Sequence, residues 1–369
     1  MNVLYIASDQ NLATYHGGTI HVQAVTRELI RHAHEVHVVL QDFSGPGVQL
    51  PSGAYEHRIT PRKKFLLWRS GTEIQQMLDG LKPDVVIERY YNFAGEGILR
   101  ANVPSILEVN SPLLEYPGSL KTKTDVLLMG TMKKRRDLIA QKASMILSPI
   151  KEIIPEEFRG KVKEVEWGAD TELFDPEKFP DKNELRKERG YDPNDILLVH
   201  FGSLRAWHGV DILQQAFRHT RDTLGLGVKC LIIGPAKQSS SDGLIFTGSI
   251  PHQQLPSWLK MCDLAVLPFA LENHRYLELG FFWSPLKLFE AMAMDLPIVT
   301  RDHARLRSIL GIKNSDYYYD GTGTDLFEKI IAALSRQRDS LHLRDRVLKE
   351  FSWQAHGDHL DAWIRELAG

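Results

Sequence analysis

A chain of 369 residues is too long for one ordinary hydrophobic core and predicts two domains of about 150–200 residues each. With 43% hydrophobic residues, 25% charged residues and a formal net charge of -2, the composition excludes a disordered chain and supplies no basic excess for nucleic acid. Two cysteines, Cys230 and Cys262, each beside apolar residues, read as buried thiols in a reducing compartment and not as a disulfide framework or metal site.

Asn2 to Ser8 is a β-branched and apolar run, followed by His16-Gly17-Gly18 and then by Val22, Val25, Leu29 and Ile30 at helical spacing. Glu35 to Leu40 returns as a strand, completing the βαβ unit of a parallel sheet. Gly17 and Gly18 let a ligand approach the backbone and offer bare amides to a phosphate, although such a loop also serves as a plain turn. His16, Thr19 and His21 flank it. Residues 61–69, PRKKFLLWR, set four basic side chains among Phe65, Leu66, Leu67 and Trp68, a composition suited to an anionic interface. Residues 83–89 and 104–112 predict two more buried strands, so a doubly wound sheet is expected. Asn110-Ser111-Pro112 at the end of the second is either a turn or a site, since asparagine donates to a hydroxyl but is no base at neutral pH. Residues 121–142 mix charges with Leu127, Leu128, Met132 and Leu138, and Lys133-Lys134-Arg135-Arg136 reads as a solvated helix face.

Polar, proline-punctuated residues 175–195 mark the crossing into a second domain. Ile196 to Phe201 is a strand, followed by the loop Gly202-Ser203-Leu204-Arg205-Ala206-Trp207-His208-Gly209 and a helix from Val210. Lys229–Gly234, Leu244–Pro251 and Ala265–Pro268 predict further strands, and Leu255, Trp258, Leu259 and Cys262 an apolar helix face. The sharpest local signal is Trp283 to Thr300, WSPLKLFEAMAMDLPIVT. Ser284 and Pro285 read as N-cap and first helical position. Lys287 then falls in the first turn, where the positive end of the helix dipole makes a lysine cost about 0.3–1 kcal/mol. A phosphate docked at that helix start would satisfy both its free amides and the lysine. The alternative is that Lys287 pairs with Glu290 on a solvated face. Leu296 to Val299 ends the helix and starts a strand, and from Tyr317 onward the chain is helix-rich.

The segment SPLKLFEAMAMDLPIV is similar to the donor-nucleotide segment of retaining glycosyltransferases of family 4, in the subset written S-P-x-K-x-x-E-x-M-A. The resemblance covers nearly the whole chain, strongly in the second domain and more loosely in the first. Ala143–Ser148 resembles the family's last strand of the first domain, and Gly168, Asp170, Phe174 and Pro176 keep the linker pattern N-G-V-D-x-x-x-F-x-P, with Trp167 in place of its asparagine. It implies the GT-B fold, an α/β architecture of two doubly wound Rossmann-like domains facing each other across a cleft. Residues 1–175 would form the acceptor side, 176–351 the donor side, and a C-terminal helix over 352–369 would cross back to the first domain.

The implied enzyme transfers a sugar from a nucleotide-diphosphate donor to a hydroxyl acceptor with retention, and needs neither metal nor cofactor; no D-x-D motif is present. By that resemblance Glu290 holds the ribose hydroxyls, Ser284, Pro285, Leu286 and Lys287 bind the diphosphate, and Gly248 borders the base. Ser203 and His208 stand where the family has a phosphate-clamping arginine and lysine, and Arg205 would take over that role. Gly17 and Gly18 face the donor phosphate and the acceptor, and Asn110, with Glu108 nearby, stands close to the transferred sugar. One departure is Phe282, where many members carry a second glutamate; Glu278 or Glu272 would have to substitute.

Two other readings remain open at this point. A sugar-nucleotide epimerase of the same architecture would use Glu108 and Glu115 as acid and base, and the replacements at Phe282, Ser203 and His208 suit a catalytically silent subunit. The chain enters its first strand without a basic leader, and no run approaches about 18 uninterrupted apolar residues, so the expected location is cytoplasmic. Residues 62–69, helped by Lys133 to Arg136, would give peripheral contact with the inner membrane surface and a lipid-linked acceptor; otherwise their apolar residues enter the core.

Overall fold

The computed structural model describes residues 1–14, 16–45, 47–60, 63–113, 120–274, 280–336 and 341–369, without the side chains of residues 120 and 121. Two compact units form: Met1–Trp167 with Phe282–Ser284 and Trp353–Gly369, and Gly168–Phe281 with Pro285–Ser352.

In the first unit, β1 (Asn2–Ala7), α1 (Gly17–Arg31), β2 (Glu35–Gln41), β3 (Ala54–Ile59), α2 (Gly71–Leu81), β4 (Val85–Arg89), α3 (Glu96–Arg100), β5 (Ser105–Glu108), α4 (Leu120–Leu127), α5 (Thr131–Lys142), β6 (Met145–Ser148) and β7 (Val162–Glu164) follow in order. Seven parallel strands pair as β3-β2-β1-β4-β5-β6-β7. The chain runs outward from β1 to β3, then returns to β4 and continues the other way. Right-handed crossovers therefore place α1 on one face of the sheet and α2, α3 and α5 on the other. Buried on both faces, β1 and β4 carry the apolar runs Val3–Ala7 and Val85–Ile87 in the sequence. The charged stretch 121–142 is built of two helices, α4 and α5, separated by a turn with Met129 and Gly130 at positive φ. Of the basic segment, Arg62 lies outside the described residues; Lys64–Ser70 is a 3-10 helix with Leu67 buried and Phe65 and Trp68 exposed.

The second unit comprises α6 (Lys182–Glu188), β8 (Ile196–Phe201), α7 (Val210–Leu224), β9 (Val228–Ile233), β10 (Ser239–Ser241), β11 (Leu244–Gly248), α8 (Leu255–Lys260), β12 (Leu264–Leu267), α9 (Leu286–Ala293), β13 (Ile298–Arg301), α10 (Ala304–Leu310), β14 (Tyr318–Tyr319), α11 (Gly323–Ser335) and α12 (Leu343–Glu350). Its strands pair as β10-β11-β9-β8-β12-β13-β14, all parallel except β10 with β11. The last helix, α13 (Trp353–Ala368), belongs to the first unit, where His32 and His34 meet Asp358 and Asp361.

Residues 168–175, assigned from sequence to the first domain, pack with the second unit. Phe174 is fully buried, and Arg344 donates to the carbonyls of Phe174 (2.6 Å) and Ala293 (2.8 Å) and pairs with Asp175 (3.1 Å). Cys230 and Cys262 are free and buried. Among the described residues no helix is long and apolar enough to cross a membrane.

Candidate functional site

In each unit the strand order reverses once, between β1 and β4 in the first and between β8 and β12 in the second. The carboxyl ends of the strands at such a reversal leave a crevice where open α/β sheets bind ligands.

At the second reversal, the loop after β8 is drawn in tightly. Gly202 has φ +104°, and a Cβ there would lie 3.2 Å from Cε of Lys287. Gly209 has φ +67°, and any side chain there would overlap the Pro268 carbonyl beyond β12. These glycines seat His208 against Lys287, whose Nζ lies 3.1 Å from His208 Nδ1. The same ring nitrogen contacts the Ser203 carbonyl. A nitrogen that donates to a carbonyl keeps no lone pair for an ammonium, so the Lys287 protons remain available to another acceptor. Burial and the neighbouring Lys287 push His208 down to about 2 and His200 to about 3, so both rings are neutral. Burial pushes Lys287 itself down to about 7. Its ammonium also lies 5.7 Å over the Phe269 ring, a weak substitute for an anion. Arg205 is exposed and has no hydrogen bond or ion pair through its side chain among the described residues. Among the described residues no carboxylate forms an ion pair with Lys287 or Arg205, an arrangement that suits an anion.

The helix start beside it differs from expectation. Ser284 is not the N-cap: α9 begins at Leu286 behind Pro285, with no side-chain cap. The Ser284 hydroxyl instead donates to the Glu166 carboxylate and accepts from the Trp167 amide at 3.0 Å. The hydroxyl proton thus goes to a charged acceptor, which makes a stronger bond than a neutral one, and its lone pair goes to the Trp167 amide in place of an α9 amide. The consequence is that the first turn of α9 keeps uncapped amides next to Lys287. Nor does Lys287 pair with Glu290. The buried Glu290 carboxylate accepts from His252 Nε2 at 2.8 Å; burial alone would lower His252, but Glu290 holds it above its usual value. Gly248 ends β11 at φ +77°, its carbonyl accepting from the Gly234 amide at 3.2 Å. Phe282 is buried against Trp283, Glu272 is exposed 3.9 Å from Arg301, and Glu278 lies outside the described residues.

At the first reversal the sheet gathers residues far apart in sequence. Arg89, ending β4, donates through Nη1 to Glu108 at 2.7 Å and through Nε to Asp9 at 3.3 Å. Tyr5 (3.2 Å) and Asn110 (2.9 Å) also donate to Glu108, and His21 Nε2 approaches it at 2.7 Å without in-line hydrogen-bond geometry. Burial alone would raise the Glu108 carboxyl; His21 and the Arg89 guanidinium reverse this and hold it well below the usual carboxylate range. His21 is itself lowered by burial, so Arg89 is the standing charge. Glu108 is therefore a fully engaged, weakly basic carboxylate and not the free acid or base an epimerase would require. Glu115 lies outside the described residues. Asn110, partly exposed, orients its amide through Glu108.

The Gly17-Gly18 amides are also less bare than expected. His16 caps α1: its Nδ1 accepts from the Gly18 amide at 3.1 Å and the Thr19 amide at 3.4 Å. A Cβ on Gly18 would lie 2.5 Å from Gln10 Oε1, so the loop is packed onto the end of β1. Arg89, Asp9 and His252 are the residues that sequence reasoning passed over. Arg89 sits in an apolar strand, and no local pattern marks either its partners or those of His252. Among the described residues no group of three or more His, Cys, Asp or Glu side chains could hold a metal ion.

Two Rossmann-like units of parallel sheet, one with a cation-bearing loop at its reversal, define a GT-B fold. Residues 195–336 match the family described as "Glycosyl transferases group 1". Over 150 residues the chain is 32% identical to a lipopolysaccharide core biosynthesis mannosyltransferase of Rhizobium meliloti, covering 37% of this chain and 39% of that protein. Over 133 residues it is 29% identical to a putative teichuronic acid biosynthesis glycosyltransferase of Bacillus subtilis, covering 35% and 31% respectively. The matches thus span less than half of either relative. The fold superposes on sucrose-phosphate synthase from Thermosynechococcus elongatus with a TM-score of 0.72 at 15% identity, covering 99% of this chain and 98% of that one.

Proposed function

We propose that the protein is a retaining glycosyltransferase of family 4 type, moving a hexosyl group from a nucleotide-diphosphate sugar to a hydroxyl on a glycan, glycolipid or small molecule. The observation that carries this reading is Lys287, set among neutral histidines beside an uncapped helix start, inside the segment that matches group 1 glycosyl transferases. A diphosphate there accepts from the Lys287 ammonium, from the first amides of α9 and from Arg205, so the charge of the leaving group is met by protein donors. Glu290 takes the ribose hydroxyls and Gly248 lies by the base. In the first unit Gly17, Gly18 and Asn110 position the acceptor.

In the reaction we infer, the bond from the anomeric carbon to the diphosphate oxygen breaks while the acceptor oxygen bonds to the same face of that carbon. The acceptor proton passes to the departing phosphate. No protein nucleophile or base is required, only positioning. The enzyme acts at the cytoplasmic side in this reading. Incubation with nucleotide-diphosphate sugars and a panel of hydroxyl acceptors tests it: release of nucleoside diphosphate together with an anomeric proton coupling that matches the donor supports retention. An inverted product, or no release with any donor, overturns it.

A further inference from the structure

The turn between α4 and α5 places its polar and apolar groups the reverse of what water favours. Asp125 is buried, and its two carboxylate oxygens accept from the amides of Met132 (2.7 Å) and Lys133 (3.0 Å). Thr131 bonds back to the Leu128 carbonyl at 2.6 Å, and the Gly130 amide to that of Asp125 at 2.8 Å. With the polar groups consumed inside, the apolar side chains stand outside: Val126 is 74% exposed, Leu127 83%, Leu128 47% and Met129 86%. Four consecutive exposed hydrophobics on a turn this well bonded mark an interaction surface, not a frayed end.

Its electrostatic setting identifies the partner. Between residues 120 and 137 six side chains are basic and two, Asp125 and Asp137, are acidic. Lys123 and Lys134 are exposed around the turn, as is Lys133, which pairs with Asp137 at 3.2 Å, whereas Arg135 folds in to pair with Glu96. The same Glu96 lies beside Gly71 at the start of α2, and the segment Lys64–Ser70 that leads directly into α2 exposes Phe65 and Trp68. Lys63 lies 6.0 Å over Phe65 and Arg69 5.0 Å over Trp68, each cation beside an exposed ring.

We propose that Val126–Met129 inserts into an anionic lipid bilayer, with Phe65 and Trp68 as a second contact. An exposed apolar tip fits a deformable acyl layer, and the surrounding lysines complement anionic headgroups. This gives the membrane contact expected from residues 62–69 a second and more prominent element. It does not depend on the transfer reaction.

Sedimentation of the full chain with phosphatidylcholine vesicles, with and without phosphatidylglycerol and at low and high salt, tests it. The expected result is binding only to the anionic vesicles, weakened by salt. The double substitution Leu127→Gln with Met129→Gln should reduce partitioning by about ten-fold or more with the melting temperature unchanged, since both side chains already face solvent. Phe65→Ser with Trp68→Ser should give a smaller loss. The proposal is overturned if the native chain does not bind anionic vesicles at low salt, if the Leu127/Met129 variant binds as well as the native chain, or if that variant instead converts a dimer to a monomer in light scattering.

Discussion

The Lys287 ammonium nitrogen lies 3.1 Å from Nδ1 of His208, a ring nitrogen that already faces the Ser203 carbonyl. The pair cannot satisfy itself, so the protonated lysine still lacks an acceptor. Removing it (Lys287→Ala), or removing Arg205 (Arg205→Ala), should weaken nucleoside diphosphate binding by about 1.5–3 kcal/mol each while the fold survives. Calorimetric titration checks this, and unchanged affinity in both variants would remove the diphosphate from this site.

The lowered Lys287 also sets a pH dependence. With the empty-site value pushed down to about 7, the lysine is mostly neutral above that pH and must gain a proton when an anion docks. Nucleoside diphosphate affinity should therefore fall as pH rises above about 7, and the binding heat should change with the ionisation enthalpy of the buffer. A flat profile between pH 6 and 9 would mean that the lysine is already charged in the empty site.

Glu290 is occupied by His252 before any ligand arrives. If the carboxylate exchanges this partner for ribose hydroxyls, Glu290→Ala should weaken nucleoside diphosphate binding by about 1.5–3 kcal/mol and leave inorganic pyrophosphate binding unchanged. Equal losses for both ligands would mean that the His252–Glu290 pair only holds the site together.

In the first unit, Arg89 serves two buried carboxylates at once. Arg89→Met should destabilise the protein by about 3–5 kcal/mol in a denaturant titration, because Glu108 and Asp9 are left facing each other without a cation. Glu108 is held below its ordinary value of 4.5, so its contribution is present above that pH and is lost as the pH falls through its lowered folded value. Glu108→Gln should flatten this acid limb. A limb identical to that of the native chain would assign acid unfolding to other groups.

The imidazole of His16 caps α1 only while Nδ1 is unprotonated. Burial, then Lys64, lowers its pKa from 6.5, so the cap holds above that pH and is lost as the pH falls through the lowered value. His16→Ala should cost about 0.5–1 kcal/mol at pH 8, the low end of the range for helix caps. Gly17→Val should abolish sugar transfer and barely change nucleoside diphosphate affinity, since the residues proposed to bind the diphosphate lie in the other unit. Normal turnover in that variant would reduce the loop to a turn.

The alternation of strand, loop and helix was legible in the chain because central parallel strands are buried on both faces and so appear as apolar runs: Val3–Ala7, Val85–Ile87 and Leu197–Val199 need no partner to be recognised. The glycine loop before α7 and the lysine in the first turn of α9 were local signals too, since backbone freedom and helix-end charge act over a few residues. What only the tertiary structure decided are the partners. Ser284 gave up the helix for Glu166, 118 residues earlier, and Glu290 left Lys287 for His252, 38 residues away. Arg89, Asp9 and Glu108 meet because β4 lies between β1 and β5, an order that no stretch of sequence encodes locally. The Val126–Met129 turn makes the same point for exposure. Four apolar residues in a row look like core in the sequence, and only the inward turn of Asp125 puts them outside. Propensity and periodicity are short-range properties of the chain, whereas hydrogen-bond partners and burial depend on which segments the sheet brings together.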